Sequence, residues 1–385
     1  MNKEKILFVH HSGNLGGAPR SLSFLLDKIN YVRYDVNLLC IKKGPGLNLF
    51  KERPLRLFIT ENIFPFHGST VSGMHFKLFV KNFLFLPQSF LNARKFIQDN
   101  RPKLIHLNSS CLFAVAIAAK SVNKEIKVVC HVREPLLKNS LCGKVIKHFA
   151  FKYVDEFIAI DKFSAASMKT RGNVRIIYNA VNFEDYNSKI ASNILREELN
   201  LPINSIIFLY LARFSESNGT LALVEAARTL TAKHSNFHFV VAGLKPELTD
   251  TYTNKVVQSA NGDPQIHFIP FREDVPSIIA SSDILVVPFT KPHFARSIVE
   301  ASAMGKPSIG ANLGGVNELI VDKVTGFLYE TPEQFCKYCE ILGNDQPARR
   351  KMGGQAELFA RKNFDNQINS QRVFQVYEEL LTKSF

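Results

Sequence analysis

Residues 291–307, KPHFARSIVEASAMGKP, place two chemically useful side chains at the start of a helical pattern. Arg296 and Glu300 are four residues apart, so they lie on one face of the predicted helix. Arginine before glutamate is the weaker order for a helical ion pair, and the helix dipole disfavours a cation at this end. Main-chain amides and Arg296 would instead form an anion site, and Glu300 could accept hydrogen bonds from the hydroxyls of a ribose.

Residues 210–220, YLARFSESNGT, carry a buried strand into Arg213 and then into a polar turn. An arginine at that point can bind a phosphate through two parallel hydrogen bonds, or it can pair with Glu216 at the surface. The positions of Arg213 and of the helix start at 294–297 together predict a pocket for a nucleotide diphosphate. The carboxylate of Glu300 would bind the sugar, and the amides would bind the phosphates.

A glycine-rich turn, HSGNLGGAPRSL, separates the first predicted strand from the first predicted helix. Gly13, Gly16 and Gly17 permit a tight turn and the close approach of a polar ligand to main-chain amides. The spacing matches neither the dinucleotide-binding fingerprint nor the P-loop, so a purely structural turn is equally compatible with it.

A polar cluster follows another predicted strand at CHVREP, residues 130–135, which contains His131, Arg133 and Glu134. Ligands of open α/β sheets bind at the carboxyl ends of the strands. A single histidine is usually structural, but three polar groups at a strand end favour a binding site.

Short apolar strands alternate with helical patterns, and this alternation predicts parallel sheets built from βαβ units. The pattern restarts after about residue 185, so we expect two Rossmann-like, doubly wound α/β domains. The predicted domains are residues 1–183 and 184–365, with a C-terminal helix, 366–385, packing back toward the first. The predicted strands are KILFVHH, YDVNLLCI, LRLFIT, KLIHLNSS, IKVVCHV, EFIAID and VRIIYNA, then SIIFLYLARF, FHFVVAG, IHFIPF, DILVVPF, PSIGANL and GFLYE.

The composition suits two globular domains, because 46% of the 385 residues are hydrophobic. The longest uncharged apolar run, CLFAVAIAA, is too short to span a membrane, and the N-terminal MNKEKILFVHH indicates a buried strand, not a signal peptide. The cysteines are too dispersed to indicate a disulfide framework. Cys336 and Cys339 suit helix packing better than a metal or redox site.

The net charge of +14 is unevenly distributed along the chain. Residues 1–190 hold 29 Lys and Arg against 13 Asp and Glu, a net charge of +16, whereas the rest holds 19 against 21, a net charge of −2. Such a basic half indicates an anionic membrane, a nucleic acid or a phosphorylated substrate as partner, unless it is only a solvated surface. We expect no nucleic acid, because no recognised binding motif is present.

Residues 73–98 intersperse phenylalanines with Lys77, Lys81, Arg94 and Lys95 and contain no acidic residue. This composition suits an amphipathic helix lying on an anionic membrane surface. A pair of core-facing helices with a basic outer face is an equally good interpretation.

Residues 206–330 resemble the nucleotide-sugar half of a retaining glycosyltransferase of the GT-B fold, in the family 4-like, or group 1, sugar transferases. FARSIVEASAMGKPSIGANLGGVNELIVDKVTGFLYE carries most of the likeness, GGAPRSL resembles the family's early glycine loop, and VRIIYNAVN resembles the segment that joins its domains. The resemblance implies two domains facing across a cleft, of which the first binds the acceptor and the second the nucleotide sugar.

The resemblance also implies roles for residues of the second domain. Arg213 would contact the donor diphosphate, and Glu300 would hold the ribose. Phe294, Ala295 and Arg296 would offer amides to the phosphates.

In the first domain, the resemblance places His131 near the anomeric carbon of the donor. Gly16 and Gly17 would close over the transferred sugar.

Two departures from the family pattern concern the donor site. The family usually pairs the arginine with a lysine five residues later, where this chain has Asn218, and it has a sugar-binding glutamate where this chain has Pro292. A lost charge-assisted hydrogen bond costs about 1.5–3 kcal/mol, which slows turnover by roughly 10–150-fold. Arg296 is the candidate replacement for the lysine, and His293 could serve the sugar hydroxyls.

The sequence therefore predicts a transferase that moves a hexosyl unit, with retention, from a nucleotide-diphospho sugar to a lipid-linked saccharide. Arg213, Arg296 and His131 would be its catalytic residues, and no cofactor or metal is expected. We expect it in the cytoplasm, on the inner face of the cell membrane, in bacterial surface polysaccharide synthesis. The alternatives are a nucleotide-sugar 2-epimerase and, because of Asn218 and Pro292, a non-catalytic subunit of a transferase complex.

Overall fold

The computed structural model describes residues 3–69, 76–168, 174–244 and 250–382. The chain divides into two compact units. The first comprises residues 1–180 and 366–385, and the second comprises residues 181–365. The boundary therefore lies after Ala180 and not at residue 183, and the C-terminal helix belongs to the first unit.

The first unit is an α/β structure. Its described strands are β1 (Glu4–His10), β2 (Tyr34–Cys40), β3 (Arg56–Ile59), β4 (Leu104–Leu107), β5 (Lys127–Val132), β6 (Glu156–Ala159) and β7 (Val174–Ile176). Its described helices are α1 (Gly17–Lys28), α2 (Phe76–Leu84), α3 (Leu86–Asn100), α4 (Phe113–Val122), α5 (Leu141–Tyr153), α6 (Lys162–Ser167) and α14 (Asn366–Thr382). The strands form one parallel sheet in the order β3-β2-β1-β4-β5-β6-β7.

The second unit has the same construction. Its described strands are β8 (Ile206–Leu211), β9 (Phe237–Leu244), β10 (Ile266–Pro270), β11 (Ile284–Val287), β12 (Ser308–Ala311) and β13 (Gly326–Tyr329). Its described helices are α7 (Ile194–Glu198), α8 (Thr220–Thr231), α9 (Thr251–Ser259), α10 (Val275–Ala280), α11 (Arg296–Ala303), α12 (Pro332–Asn344) and α13 (Gln346–Asn363). The strands form a parallel sheet in the order β10-β9-β8-β11-β12-β13.

The strands are predominantly apolar because both faces of each sheet are covered. In β1, Leu7 and Val9 pack into one core, whereas Ile6 and Phe8 pack into the core on the opposite face. Each predicted strand overlaps a strand of the structure, and the prediction of two Rossmann-like α/β units is confirmed.

Helix α14 packs on the first unit through buried polar contacts as well as apolar ones. Asn366 donates its side-chain amide to the carbonyl of Phe24, at 3.1 Å. The hydroxyl of Tyr377, which is fully buried, lies 2.6 Å from Nδ1 of His106 on β4. Burial lowers the pKa of His106 to about 3, so the ring is neutral and its tautomer sets the direction of this hydrogen bond.

The predicted membrane segment forms α2 and α3 from Phe76 onward, and its first three residues lie outside the described residues. Helix α3 buries Ala93 and Ile97 in the core, as the helix-pair interpretation predicts. Helix α2 keeps Phe76, Phe83 and Leu84 exposed by 77%, 50% and 71%. Within the described part of the chain, no helix is both long and apolar enough to cross a bilayer.

Replacing Tyr377 with phenylalanine should lower the free energy of unfolding by about 1–3 kcal/mol, because Nδ1 of His106 is then buried without its hydrogen-bond partner. Urea denaturation followed by circular dichroism measures the change. Tyr153→Phe is the control, since the Tyr153 hydroxyl makes no hydrogen bond to a described residue. Equal stabilities of the two variants would contradict the contribution of the Tyr377 hydrogen bond.

Candidate functional site

Loops at the carboxyl edge of the second sheet carry most of the predicted site residues. Two glycines with positive φ let these loops approach each other. A Cβ on Gly219, where φ is 68°, would lie 1.7 Å from the carbonyl oxygen of Pro288 after β11. A Cβ on Gly315, where φ is 87°, would lie 2.6 Å from the main chain of His293. Any side chain at either position would push the loops apart.

Asn218 joins the loop after β8 to the loop after β11. Its side-chain amide donates to the carbonyl of Arg213, at 2.8 Å, and its Oδ1 lies 3.0 Å from Nε2 of His293. Thr290 adds a main-chain hydrogen bond of 3.0 Å to Ser217. The neutral residue at the family's lysine position is therefore buried and tied to both loops.

The side chain of Arg213 is exposed at the end of β8. Among the described residues it has no ion-pair partner, so the predicted alternative, a surface pair with Glu216, is not formed. An exposed guanidinium at this edge of a parallel sheet can bind a phosphate with two parallel hydrogen bonds.

Helix α11 begins at Arg296, with Ala295 as its N-cap and no side chain of the described residues capping it. The main-chain amides of Phe294 and Ala295 make no hydrogen bond within the described part of the chain. Such amides at a helix start favour an anion.

Arg296 and Glu300 bind each other, with Nε of the arginine 2.9 Å from Oε1 of the glutamate. Their side chains are only 13% and 7% exposed. The pair therefore forms in spite of the weaker residue order and of the position of the cation at the helix start. In this structure each of the two groups predicted to bind the donor already has a partner.

His293 is stacked on Phe289, with ring centroids 4.0 Å apart, and its Nδ1 lies 2.8 Å from the carbonyl oxygen of Lys291. Burial and, to a lesser degree, the charge of Arg213 lower its pKa to about 4, although the hydrogen bond to the Lys291 carbonyl acts in the opposite direction. The ring is therefore neutral at pH 7.

Arg133 is the centre of a buried polar network at the carboxyl edge of the first sheet. Its Nε donates to Asn108 at 2.7 Å, and its Nη1 donates to Asn179 at 2.9 Å. The Asn108 amide in turn lies 2.8 Å from Nδ1 of His10 and 3.3 Å from the carbonyl of Ala18 in α1. The network therefore connects β1, β4, β5 and the start of α1.

His131 lies on β5, and its Nδ1 is 3.4 Å from Nη2 of Arg133. A guanidinium only donates, so Nδ1 is the acceptor and Nε2 carries the proton. Burial, together with the charge of Arg133, holds the pKa of His131 well below its usual range. Nε2 is buried, and its N–H makes no hydrogen bond to a described residue.

The three glycines of the early turn have different surroundings. A Cβ on Gly13 would lie 2.0 Å from the carbonyl oxygen of Lys43, so this glycine is required by packing. A Cβ on Gly16 would meet no atom within 4 Å, and Gly17 begins α1. Gly16 and Gly17 are both exposed, which leaves room for a ligand at the helix start.

The structure gathers Arg213, Asn218 and residues 293–300 in the second unit, and it connects the α1 start with His131 in the first. Sequence reasoning missed His10, Asn108 and Asn179 as members of the site. The available signal was their position, since each is a polar residue at or just after the end of an apolar strand stretch. That signal does not reveal that one arginine binds both asparagines.

The described residues contain no group of three or more His, Cys, Asp or Glu side chains placed to hold a metal ion. Cys339 is fully buried in the core of the second unit, and burial raises its pKa well above the usual range. The prediction that this cysteine serves in helix packing is confirmed.

Two family models match adjoining parts of the chain. The model described as Glycosyltransferase Family 4 matches residues 50–185, and the model described as Glycosyl transferases group 1 matches residues 192–359. The chain belongs to this family of glycosyltransferases.

A curated relative from Escherichia coli and two solved structures are similar over most of the chain. The relative, a UDP-Gal:alpha-D-GlcNAc-diphosphoundecaprenol alpha-1,3-galactosyltransferase, is 23% identical over 86% of this chain and 84% of its own. HepE from Anabaena, in complex with UDP and glucose, is 22% identical with a TM-score of 0.78, covering 97% of this chain and 99% of HepE. A glycosyltransferase from Rickettsia africae is 19% identical with a TM-score of 0.82, covering 100% of both chains. The structural likenesses establish the GT-B fold alone.

Gly13 and Gly16 should respond differently to replacement by alanine. Gly13→Ala should lower the melting temperature by several degrees, because the new Cβ overlaps the Lys43 carbonyl and the loop must move. Gly16→Ala should leave it within about one degree, because its Cβ enters open space. Thermal unfolding of both variants checks this, and a larger loss for Gly16→Ala would contradict the assigned surroundings.

Proposed function

We propose that this protein transfers a hexosyl unit from a nucleotide-diphospho sugar to a lipid-linked saccharide, with retention of the anomeric configuration. The observation that carries the proposal is the exposed guanidinium of Arg213 in the same unit as the amides of Phe294 and Ala295, which have no partner among the described residues. A diphosphate offers enough oxygens to bind both groups. The E. coli relative, which uses UDP-Gal, supports a nucleotide sugar as donor.

Stabilisation of the leaving group would be the main catalytic contribution. A nucleoside diphosphate needs its developing negative charge neutralised more than it needs a proton, and fixed cations and amides supply this in the transition state. Arg213 would contribute most, because its guanidinium has no ion pair to break among the described residues. Arg296 would have to release Glu300 before it could bind the diphosphate.

The release of Glu300 would also allow its carboxylate to bind the ribose of the donor. Its carboxylate, once separated from Arg296, could accept hydrogen bonds from the ribose hydroxyls. Donor binding would then exchange a buried ion pair for two ligand contacts, so the charges would not be left unpaired.

In the first unit, His131 would donate its Nε2 proton in a hydrogen bond to a sugar oxygen. Its neutral tautomer suits this role, because Arg133 occupies Nδ1. Gly16 and Gly17 would offer the space and the amides at the start of α1.

The acceptor side of the proposal rests on charge and on exposed apolar groups. The E. coli relative acts on a diphosphoundecaprenol-linked sugar, and residues 1–190 of this chain carry a net charge of +16. Helix α2 exposes Phe76, Phe83 and Leu84 beside Lys77 and Lys81, which suits the interface of an anionic membrane. We place the enzyme at the inner face of the membrane, in surface polysaccharide synthesis.

The test of the donor site is Arg213→Ala. Binding of a nucleotide-diphospho sugar, measured by calorimetry, should weaken by roughly 10–150-fold, because a charge-assisted hydrogen bond contributes about 1.5–3 kcal/mol. Arg228→Ala is the matched control, since Arg228 is an exposed arginine on α8 of the same unit. Equal affinities of the two variants would remove Arg213 from the donor site.

The membrane assignment predicts sedimentation with vesicles that contain anionic lipid, and release in high salt. Lys77→Gln with Lys81→Gln should reduce binding several-fold, because each basic residue near an anionic surface contributes about 1 kcal/mol. Lys255→Gln with Lys337→Gln, two exposed lysines of the second unit, is the charge-matched control. Equal loss in both double variants would exclude α2 as the contact.

A non-catalytic subunit is the second candidate, favoured by the neutral Asn218 and by the buried Arg296–Glu300 pair. Turnover distinguishes the two functions. A transferase releases nucleoside diphosphate only as an acceptor sugar is consumed, and nuclear magnetic resonance of the product reports the anomeric configuration. Donor binding without any release over a panel of lipid-linked acceptors would favour the subunit.

A further inference from the structure

His293 has a hydrogen-bond acceptor opposite each of its ring nitrogens. On one side, Nδ1 lies 2.8 Å from the carbonyl oxygen of Lys291. On the other side, Nε2 lies 3.0 Å from Oδ1 of Asn218. The orientation of the asparagine follows from its other contact, because its amide nitrogen must face the Arg213 carbonyl at 2.8 Å.

A neutral imidazole carries one proton and can satisfy only one of these two acceptors. The remaining nitrogen then faces an oxygen, lone pair against lone pair. The imidazolium ion, with an N–H on both nitrogens, satisfies both contacts. The hydrogen bonds of this ring are therefore arranged for the charged form.

Nearby charge and burial oppose that form in the free protein. Burial lowers the pKa of His293 to about 4, with the charge of Arg213 as a further cause. The charged groups on the surrounding elements are Arg213 after β8, Glu216 in the following turn, Lys291 in its own loop, Arg296 and Glu300 on α11, and Glu318 after β12. Of these charges, that of Arg213 lowers the pKa of the ring, whereas the hydrogen bond to the main-chain carbonyl of Lys291 raises it.

We propose that His293 takes up a proton when the diphosphate of the donor binds beside Arg213, and that the imidazolium supplies the second cation of the site. This inference rests on the proposed function, because it needs an anion at Arg213. It replaces the expectation that Arg296 substitutes for the missing lysine, because the guanidinium of Arg296 is bound to Glu300. The residue at the lysine position, Asn218, then holds the cation without itself being one.

The pH dependence follows from linkage. A bound anion cancels the repulsion from Arg213 and adds attraction of its own, and an opposite charge at this range raises a histidine pKa by about 1–3. The pKa of His293 would rise from about 4 to between about 5 and 7 in the complex. Between the free and bound values, affinity falls as the pH rises, and above the bound value it is constant.

The experiment is calorimetry with UDP-glucose between pH 5 and pH 8, in pairs of buffers with different ionisation enthalpies. UDP-glucose is the probe because its diphosphate is esterified at both ends and has no proton to lose in this range. We expect net proton uptake near pH 6, and an affinity about tenfold lower at pH 8 than at pH 5 for a bound-state pKa near 6.

Three variants separate proton binding from a merely structural role. His293→Gln should bind UDP-glucose with no proton uptake and a flat pH profile. Asn218→Lys should also lose the uptake but gain affinity at pH 8, because it supplies a permanent cation. His148→Gln, which removes an exposed histidine on α5, should keep the wild-type profile.

The outcomes distinguish this inference from the proposed function. Binding of UDP-glucose by the wild type without proton uptake and with a flat pH profile would overturn the role of His293 and leave the donor site standing. Unchanged uptake in His293→Gln would do the same. Failure of the wild type to bind UDP-, dTDP-, ADP- or GDP-glucose at any pH would overturn both.

Discussion

The side chain of Asn218 holds together the two loops on which the candidate donor site depends. Its amide nitrogen donates to the carbonyl of Arg213, and its Oδ1 faces Nε2 of His293. A single amide therefore connects the residue that carries a cation with a titratable ring. A lysine at this position would repel a protonated His293. Asn218 replaces the family's lysine and so suggests a damaged site, yet its side chain organises the site. The proposal of an active transferase depends on this organising role.

Buried polar groups organise the first unit in a comparable way. Arg133 satisfies Asn108, Asn179 and His131 at once, and a buried guanidinium is tolerated only when its donors are paired. The same bonds orient His131 so that its remaining N–H has no described partner. In both units, therefore, an asparagine or arginine that touches several loops is hydrogen-bonded to a histidine ring.

The two interpretations of the segment after residue 73 turn out to be compatible. Helix α3 packs on the core and α2 exposes large apolar side chains, so one stretch of sequence provides both a structural helix and a surface suited to a membrane. The periodicity of the segment does not separate these roles, because a helix that shields the core and a helix that enters a lipid interface both need one apolar face.

The two parallel sheets, the strand end at Arg213 and the start of α11 could be predicted from the sequence, because strands buried on both faces are mostly apolar and polar residues follow where they end. The pairing of the site side chains could not be predicted in this way. Asn218 and His293 are 75 residues apart, and Arg133 and Asn179 are 46 apart. The burial of the Arg296–Glu300 pair is likewise a property of the folded structure. Such contacts and such burial arise from neighbours distant in the chain, which local spacing does not encode.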